Sequence, residues 1–306
     1  MDIDQQPVKS NLAGGAGKLI MVCGAARSGT TMLDLMLGNA DDAFSTGEIF
    51  AYFRPFREHH FEPVCSCGER DCLVWRGLLD VPENHFHANI LKRSEYNVVV
   101  DSSKDLRWVY DSNLWARQTG IECVNVVLWK DPIDLAYSYW KRGFGISYYR
   151  RAFLVYYERL IGLNLPFVSV NYNQLATDPV EVLVALCNRL GLKLNEGRER
   201  FWEKRHHYYF GSAGTGKQVD KGGSRVENAR EFPADFLREY ETESAWSVSN
   251  ARFQNVLQKL ASNDLFNKAS PVSSEIGIRI KPFWYYSHIL KSVWRRRFPE
   301  SWPVAK

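Results

Sequence analysis

The sequence predicts an α/β fold: a parallel β-sheet flanked by helices on both faces and carrying helical insertions. Three observations lead there. Four short runs rich in valine and isoleucine, at residues 19–23, 97–100, 123–128 and 166–170, have the length and composition of strands buried on both faces. Apolar residues three and four apart mark helices after them, at 31–38 (Met32, Leu35, Met36), 106–118 (Val109, Leu114, Trp115) and 179–190 (Val182, Leu183, Leu186, Leu190). The first run passes through a glycine turn straight into the first helix. Sheets of this kind bind ligands beyond the carboxyl ends of their strands, so the residues just after each run are the first candidates for function.

The first strand leads into Gly24-Ala25-Ala26-Arg27-Ser28-Gly29-Thr30-Thr31. A glycine-rich turn that opens a helix directs several free N–H groups at one point, where the helix dipole also favours negative charge. The spacing imitates a nucleotide-binding P-loop, which makes the sheet P-loop-type, but Thr30 stands where that motif requires lysine. The cation of this loop is Arg27. After the third run comes Lys130-Asp131-Pro132-Ile133-Asp134-Leu135-Ala136-Tyr137-Ser138, a cation at a strand end with a hydroxyl two helical turns on, able to meet one phosphate from two sides.

These two segments resemble the 5′-phosphosulfate loop and the 3′-phosphate site of sulfotransferases that use 3′-phosphoadenosine 5′-phosphosulfate (PAPS), in particular the bacterial and carbohydrate-directed branch. The resemblance implies a sulfotransferase fold with PAPS as co-substrate. It places Arg27, Ser28, Gly29, Thr30 and Thr31 on the 5′ side and Lys130 and Ser138 on the 3′-phosphate. Arginine is usual where Lys130 stands, and lysine keeps the charge without the planar fork. Tyr172, after the fourth run, corresponds to a tyrosine that packs near the adenine. Gly211 and Ser212 lie in a glycine-rich stretch, residues 195–230, where relatives carry a loop that closes on the nucleotide.

Sulfuryl transfer to a hydroxyl needs a base. Glu48, in Ser45-Thr46-Gly47-Glu48, resembles the glutamate base of bacterial and carbohydrate-directed relatives; Asp101 is the alternative. The phenol and steroid enzymes place a histidine after the second run, but here that run continues Asp101-Ser102-Ser103-Lys104. Lys104 then becomes an electrostatic partner for the sulfuryl oxygens. His59, His60, His206 and His207 fall near segments suited to an acceptor pocket. The transfer requires no metal.

Cys23, Cys123 and Cys187 sit singly in apolar segments and read as reduced core residues. Cys65, Cys67 and Cys72, with Gly68 and Trp75, form a patch also found in bacterial sulfotransferase-like sequences. Three thiolates fall one short of a closed zinc site, which a nearby histidine would complete. Packing or a redox-labile cluster is the favoured reading, and no metal is assigned. The surrounding insertion, residues 54–93, reads as a lid or acceptor-recognition element.

At 45% hydrophobic and 14% aromatic residues, 306 residues build a sizeable core, so the chain is expected to be globular. A net charge of +4 suits anionic ligands and is too small for a dedicated nucleic-acid binder. Residues 1–17 lack the basic start and apolar core of a signal peptide and read as a flexible leader to a domain spanning 18–276. No run approaches the roughly 18 apolar residues of a membrane span, which points to the cytoplasm. In the tail, residues 277–306, Lys281, Lys291 and Arg295 to Arg297 alternate with Phe283, Trp284, Tyr285, Tyr286, Trp294 and Trp302. That pattern fits a docked helix with a basic face, or peripheral membrane contact. The expected partner is a small-molecule or carbohydrate acceptor. The rival functions are a P-loop small-molecule kinase and a non-catalytic, membrane-associated binding protein.

Overall fold

The structure, a computed structural model, describes residues 17–220 and 231–267. Five strands, β1 (Lys18–Cys23), β2 (Ala43–Ser45), β3 (Val98–Asp101), β4 (Glu122–Trp129) and β5 (Phe167–Asn171), form one sheet in the order β2-β3-β1-β4-β5. Every pairing is parallel. Side chains alternate across it with the strand period of two: Leu19, Met21 and Cys23 join one hydrophobic cluster, Ile20 and Val22 the other. All five of these side chains are fully buried. Burial on both faces explains why the strands read as continuous apolar runs.

Two helical layers cover the faces. On one face, α1 (Thr30–Leu37) packs over β1, β2 and β3, and the apolar stripe of α8 (Pro179–Leu190) completes that cluster. The opposite face carries α3 (Phe86–Arg93), α4 (Leu106–Gln118), α5 (Pro132–Trp140), α6 (Tyr148–Gly162), α10 (Ala234–Ser249) and α11 (Ala251–Ser262). Short helices α2 (Phe50–Phe53), α7 (Tyr172–Thr177) and α9 (Ala213–Asp220) lie at or near strand ends and in the late segment. Asp105 caps α4 by accepting from the N–H groups of Arg107 and Trp108, and Asp178 and Pro179 start α8, which Gly191 ends in a left-handed conformation.

The expected α/β architecture is present, with differences at the margins. β2 went unpredicted because three residues show no periodicity, yet it closes one edge by pairing Ala43–Ser45 with Val98, Val99 and Val100. Helices α6, α10 and α11 also lie beyond the sequence reading; aromatic and charged residues blur the apolar stripe of α6 and α10, whereas α11 carries a plain stripe at Phe253, Val256 and Leu260. Residues 195–220 are more structured than a loop, with a 3₁₀ turn at Phe201–Glu203 and then α9. The 54–93 insertion consists of three 3₁₀ turns and α3. It is tied down by Arg54, which donates to both Glu83 oxygens at 2.9 and 2.5 Å, and by Trp75, whose ring lies 5.0 Å from Phe44 and 4.8 Å from Tyr209. Residues 1–16 of the leader, residues 221–230, and residues 268–306, which take in the end of the expected domain and the basic aromatic tail, lie outside the described residues, and no described helix is long and apolar enough to cross a membrane.

Candidate functional site

Strands on one side of β1 are β3 and β2, and on the other β4 and β5, so the chain reverses direction across the sheet between β1 and β4. That switch point opens a crevice at the carboxyl ends of the strands. The loop after β1 and Lys130 after β4 flank it, Glu48 and Lys104 follow β2 and β3, and Tyr172 follows β5. Every strand end thus delivers at least one of the residues singled out from the sequence.

The loop after β1 is shaped to receive an anion. Gly29 caps α1 at φ 93°, with no side chain in the capping position. Met32 is the first residue of the helix to donate back, at 3.0 Å to the Gly29 carbonyl; among the described residues the N–H groups of Gly29, Thr30 and Thr31 have no acceptor. A β-carbon on Gly29 would stand 2.6 Å from the Tyr172 ring, so both the backbone angle and the packing require glycine. Tyrosines hold the loop from behind. The Gly24 and Ala25 N–H groups donate to the hydroxyls of Tyr156 (3.0 Å) and Tyr157 (3.2 Å), Tyr157 donates to the Leu128 carbonyl (2.8 Å), and Tyr139 donates to the Ala26 carbonyl (3.1 Å). Ser28, fully buried, places its hydroxyl 3.1 Å from that of Tyr157 and so belongs to this scaffold.

Cations gather around the crevice. Arg27 adopts φ 76°, an uncommon angle for a residue with a β-carbon, and its buried Nε has no hydrogen-bond partner among the described residues. Burial and the neighbouring Arg142 lower its pKa. Lys130 Nζ lies 3.8 Å from the centre of the Tyr172 ring, and burial brings its pKa down to about 8, with Lys141, Arg27 and Arg142 acting in the same direction. Ser138 is buried on α5. Asp131 and Asp134 fix this corner: Asn171 and Asn173 each donate to Asp131 at 2.8 Å, and Asn173 donates to Asp134 at 2.7 Å. Sequence reasoning missed Arg142, which donates to the Ser138 carbonyl (3.0 Å). Its position one helical turn after Ser138 was the available signal. Arg142 lowers the pKa of both Arg27 and Lys130, and Arg27 that of Lys130, so positive charge is crowded here in a way that an anion would relieve.

On the other side of the loop stands Glu48. Gly47 (φ 72°) turns the chain after β2, and the Glu48 N–H donates to the Tyr209 carbonyl at 2.9 Å. The Glu48 carboxylate forms an ion pair with Lys104, both side chains being half-buried, and its charge reaches Arg27 and His60. Asp101, the alternative base, is fully buried and occupied: Ser103 N–H (2.7 Å) and Trp108 Nε1 (2.8 Å) donate to it, and His87 Nε2 lies 2.8 Å away. It has no open face for an acceptor. Sequence reasoning also missed Asp34, fully buried beneath this region, which accepts from Ser45 and Ser102 at 2.6 Å each. Burial raises its pKa to about 7 despite those two hydrogen bonds.

The late segment closes over the same region. Tyr209 N–H donates to the Thr46 carbonyl (3.2 Å), and Ser212 N–H donates to Thr31 Oγ1 (3.1 Å), bringing Gly211 and Ser212 against the first turn of α1. A cleft of about 680 Å³ opens between this segment and the insertion, lined by His59, Glu62, Val64, His206, Phe210 and Ser212 among others. His60 and His206 are buried and kept neutral, burial lowering each pKa to about 4. Cys65, Cys67 and Cys72 meet His207 nearby.

No protein-family model matches the chain, and no curated protein matches it. Among solved structures, the chain is similar to the sulfotransferase domain of the olefin synthase of Synechococcus, with 13% identity, TM-score 0.49, and coverage of 78% of this chain and 98% of that one. A sulfotransferase domain from the curacin biosynthetic pathway has 13% identity and TM-score 0.47, covering 74% of this chain and 98% of that one. A sulfotransferase from Alicyclobacillus acidocaldarius has 15% identity and TM-score 0.44, covering 80% and 97%.

Proposed function

We propose that this chain is a sulfotransferase that moves the sulfuryl group of PAPS to an acceptor hydroxyl on a saccharide, glycolipid or other small metabolite. The observation that carries this is the arrangement around Arg27. An anion-binding loop without the lysine of an ATPase has its own cation, electrostatically linked to a carboxylate–lysine pair on one side and to Arg142, beside Lys130, on the other. Arg27 Nε and the N–H groups of Gly29, Thr30 and Thr31, without acceptors among the described residues, suit a phosphosulfate, and Lys130 with Arg142 and Ser138 suits a second phosphate on the same nucleotide.

The chemistry follows from that placement. PAPS supplies an activated sulfuryl group. Glu48 takes the proton of the acceptor hydroxyl as its oxygen bonds to sulfur, and the bond from sulfur to the bridging oxygen breaks in line, releasing adenosine 3′,5′-bisphosphate. Negative charge grows on the bridging oxygen, where Arg27 and the loop N–H groups stabilise it. Lys104, paired with Glu48 in the free protein, is placed to meet the sulfuryl oxygens. The cleft between the insertion and the late segment is the acceptor's entry.

Replacing Glu48 by Gln is expected to leave the affinity for adenosine 3′,5′-bisphosphate nearly intact while lowering turnover of radiolabelled PAPS with a mixed acceptor extract by roughly 10²- to 10⁴-fold. Near-normal turnover removes Glu48 as the base. Calorimetric titration separates the rival functions: tighter binding of ATP than of adenosine 3′,5′-bisphosphate supports a kinase, since ATP has no 3′-phosphate for Lys130. Lipid binding lost on deleting residues 277–306, with no transfer activity in either form, supports a membrane-associated binding protein.

A further inference from the structure

Cys65, Cys67, Cys72 and His207 take no part in the chemistry above, yet their side chains converge. One ligand atom from each lies within 4.8 Å of all the others, with His207 Nδ1 3.1 Å from Cys72 Sγ and 3.8 Å from Cys65 Sγ. We propose that these four residues bind one zinc(II) ion in a structural site that fastens the 54–93 insertion to the late segment.

The donor set and its dimensions suit zinc. Bond lengths near 2.3 Å to sulfur and 2.0 Å to nitrogen at tetrahedral angles put neighbouring ligand atoms roughly 3.5–3.8 Å apart, so small side-chain rotations complete the polyhedron. Thiolate and imidazole are the ligands of a borderline-soft cation, and four protein donors leave no open position, as in structural sites. A disulfide would use two of the three sulfurs, leaving the third and the imidazole without a role. Three thiolates, a neutral imidazole and Zn²⁺ sum to one negative charge, and Arg205, which donates to the Cys67 carbonyl at 3.0 Å, sets a positive charge beside them.

The backbone brings the ligands together independently of any ion. Gly68, at φ 89°, donates to the Cys65 carbonyl at 2.8 Å, a turn that presents Cys65 and Cys67 to the same side. Ser66 stitches this turn to the late segment: its N–H donates to the Tyr208 carbonyl (2.9 Å), its hydroxyl donates to the His206 carbonyl (2.7 Å), and the Tyr208 N–H donates to its hydroxyl (3.0 Å). His207 is thereby held opposite the cysteines. Two residues on, Tyr209 bonds through its backbone to Thr46 and Glu48. The ion therefore holds the strap that positions Glu48, but its binding does not depend on the sulfuryl-transfer assignment.

The test uses the full chain purified under reducing conditions without chelators. Mass spectrometric metal analysis is expected to find close to one zinc per chain, and cobalt(II) substitution to give thiolate charge-transfer and tetrahedral d–d absorption. Cys67→Ser and His207→Ala are each expected to weaken zinc binding by at least tenfold in competition with a chromogenic chelator, read on protein whose circular dichroism confirms folding. If a variant fails to fold, stripping zinc from the unaltered protein supplies the second readout: proteolysis of residues 54–93 and 206–212 should accelerate and reverse on zinc addition. Protein that contains no zinc and takes up no cobalt overturns the proposal, as does a disulfide among the three cysteines, or full zinc affinity in folded Cys67→Ser and His207→Ala.

Discussion

Replacing Asp34 by asparagine tests the electrostatic foundation beneath the candidate base. The carboxyl group is fully buried, and its pKa is raised from 3.8 to about 7 because burial outweighs the hydrogen bonds from Ser45 and Ser102; Asp101 pushes in the same direction and Lys104 against it. It binds its proton more tightly in the folded than in the unfolded chain. Below the unfolded pKa both states are protonated and the stability is fully present; as pH rises the unfolded state ionises first, and stability is lost until the folded carboxyl ionises near 7. At about 1.4 kcal/mol per pKa unit, the loss is at most ~4 kcal/mol. Asparagine does not titrate and keeps one acceptor oxygen for the two serines, so it should cost about 1 kcal/mol at acid pH. Urea unfolding of both proteins between about pH 3 and 8 is the assay, because the curves should cross at about pH 4.5 and their difference removes the contribution of every other titrating group. The variant should be the less stable protein at the acid end and the more stable at the alkaline end. Parallel curves, or a crossing in the opposite sense, would refute a buried carboxyl with a raised pKa.

Gly29→Ala should lower stability by at least the ~1–2 kcal/mol of a left-handed backbone with a β-carbon, and weaken adenosine 3′,5′-bisphosphate binding tenfold or more through overlap with Tyr172; unchanged calorimetric affinity would show that the loop is not the anion site. Because Lys130 loses its proton near pH 8, nucleotide affinity should fall as pH rises through that value, and Lys130→Met should abolish the fall; a profile identical in both proteins would exclude Lys130 from the site. Tyr157→Phe removes the hydroxyl that bonds Ala25, Ser28 and Leu128, and is expected to destabilise the protein by about 1–3 kcal/mol, an effect that denaturant titration would contradict if it stayed within about 0.5 kcal/mol.

The sequence by itself determined the parallel sheet, because strands buried on both faces must be apolar throughout, and it marked the loop from Gly24 to Thr31, because only glycine tolerates Gly29's angle. It also marked Lys130, since a polar residue directly after an apolar run falls at a strand's carboxyl end, whereas Glu48 and Lys104 were marked by resemblance to sulfotransferases and by the absence of a histidine after the second run. Only the tertiary structure decided what depends on chains meeting from far apart. The separations of 68 positions from Asp34 to Ser102 and 135 from Cys72 to His207 are closed by strand pairing and by the stitching of Ser66 to Tyr208, which no local pattern announces. Burial likewise separates two carboxylates that look alike in sequence. Asp101 is sealed under Trp108 and His87, whereas Glu48 reaches the crevice because Gly47 turns it there, against the backbone of Tyr209 in the late segment.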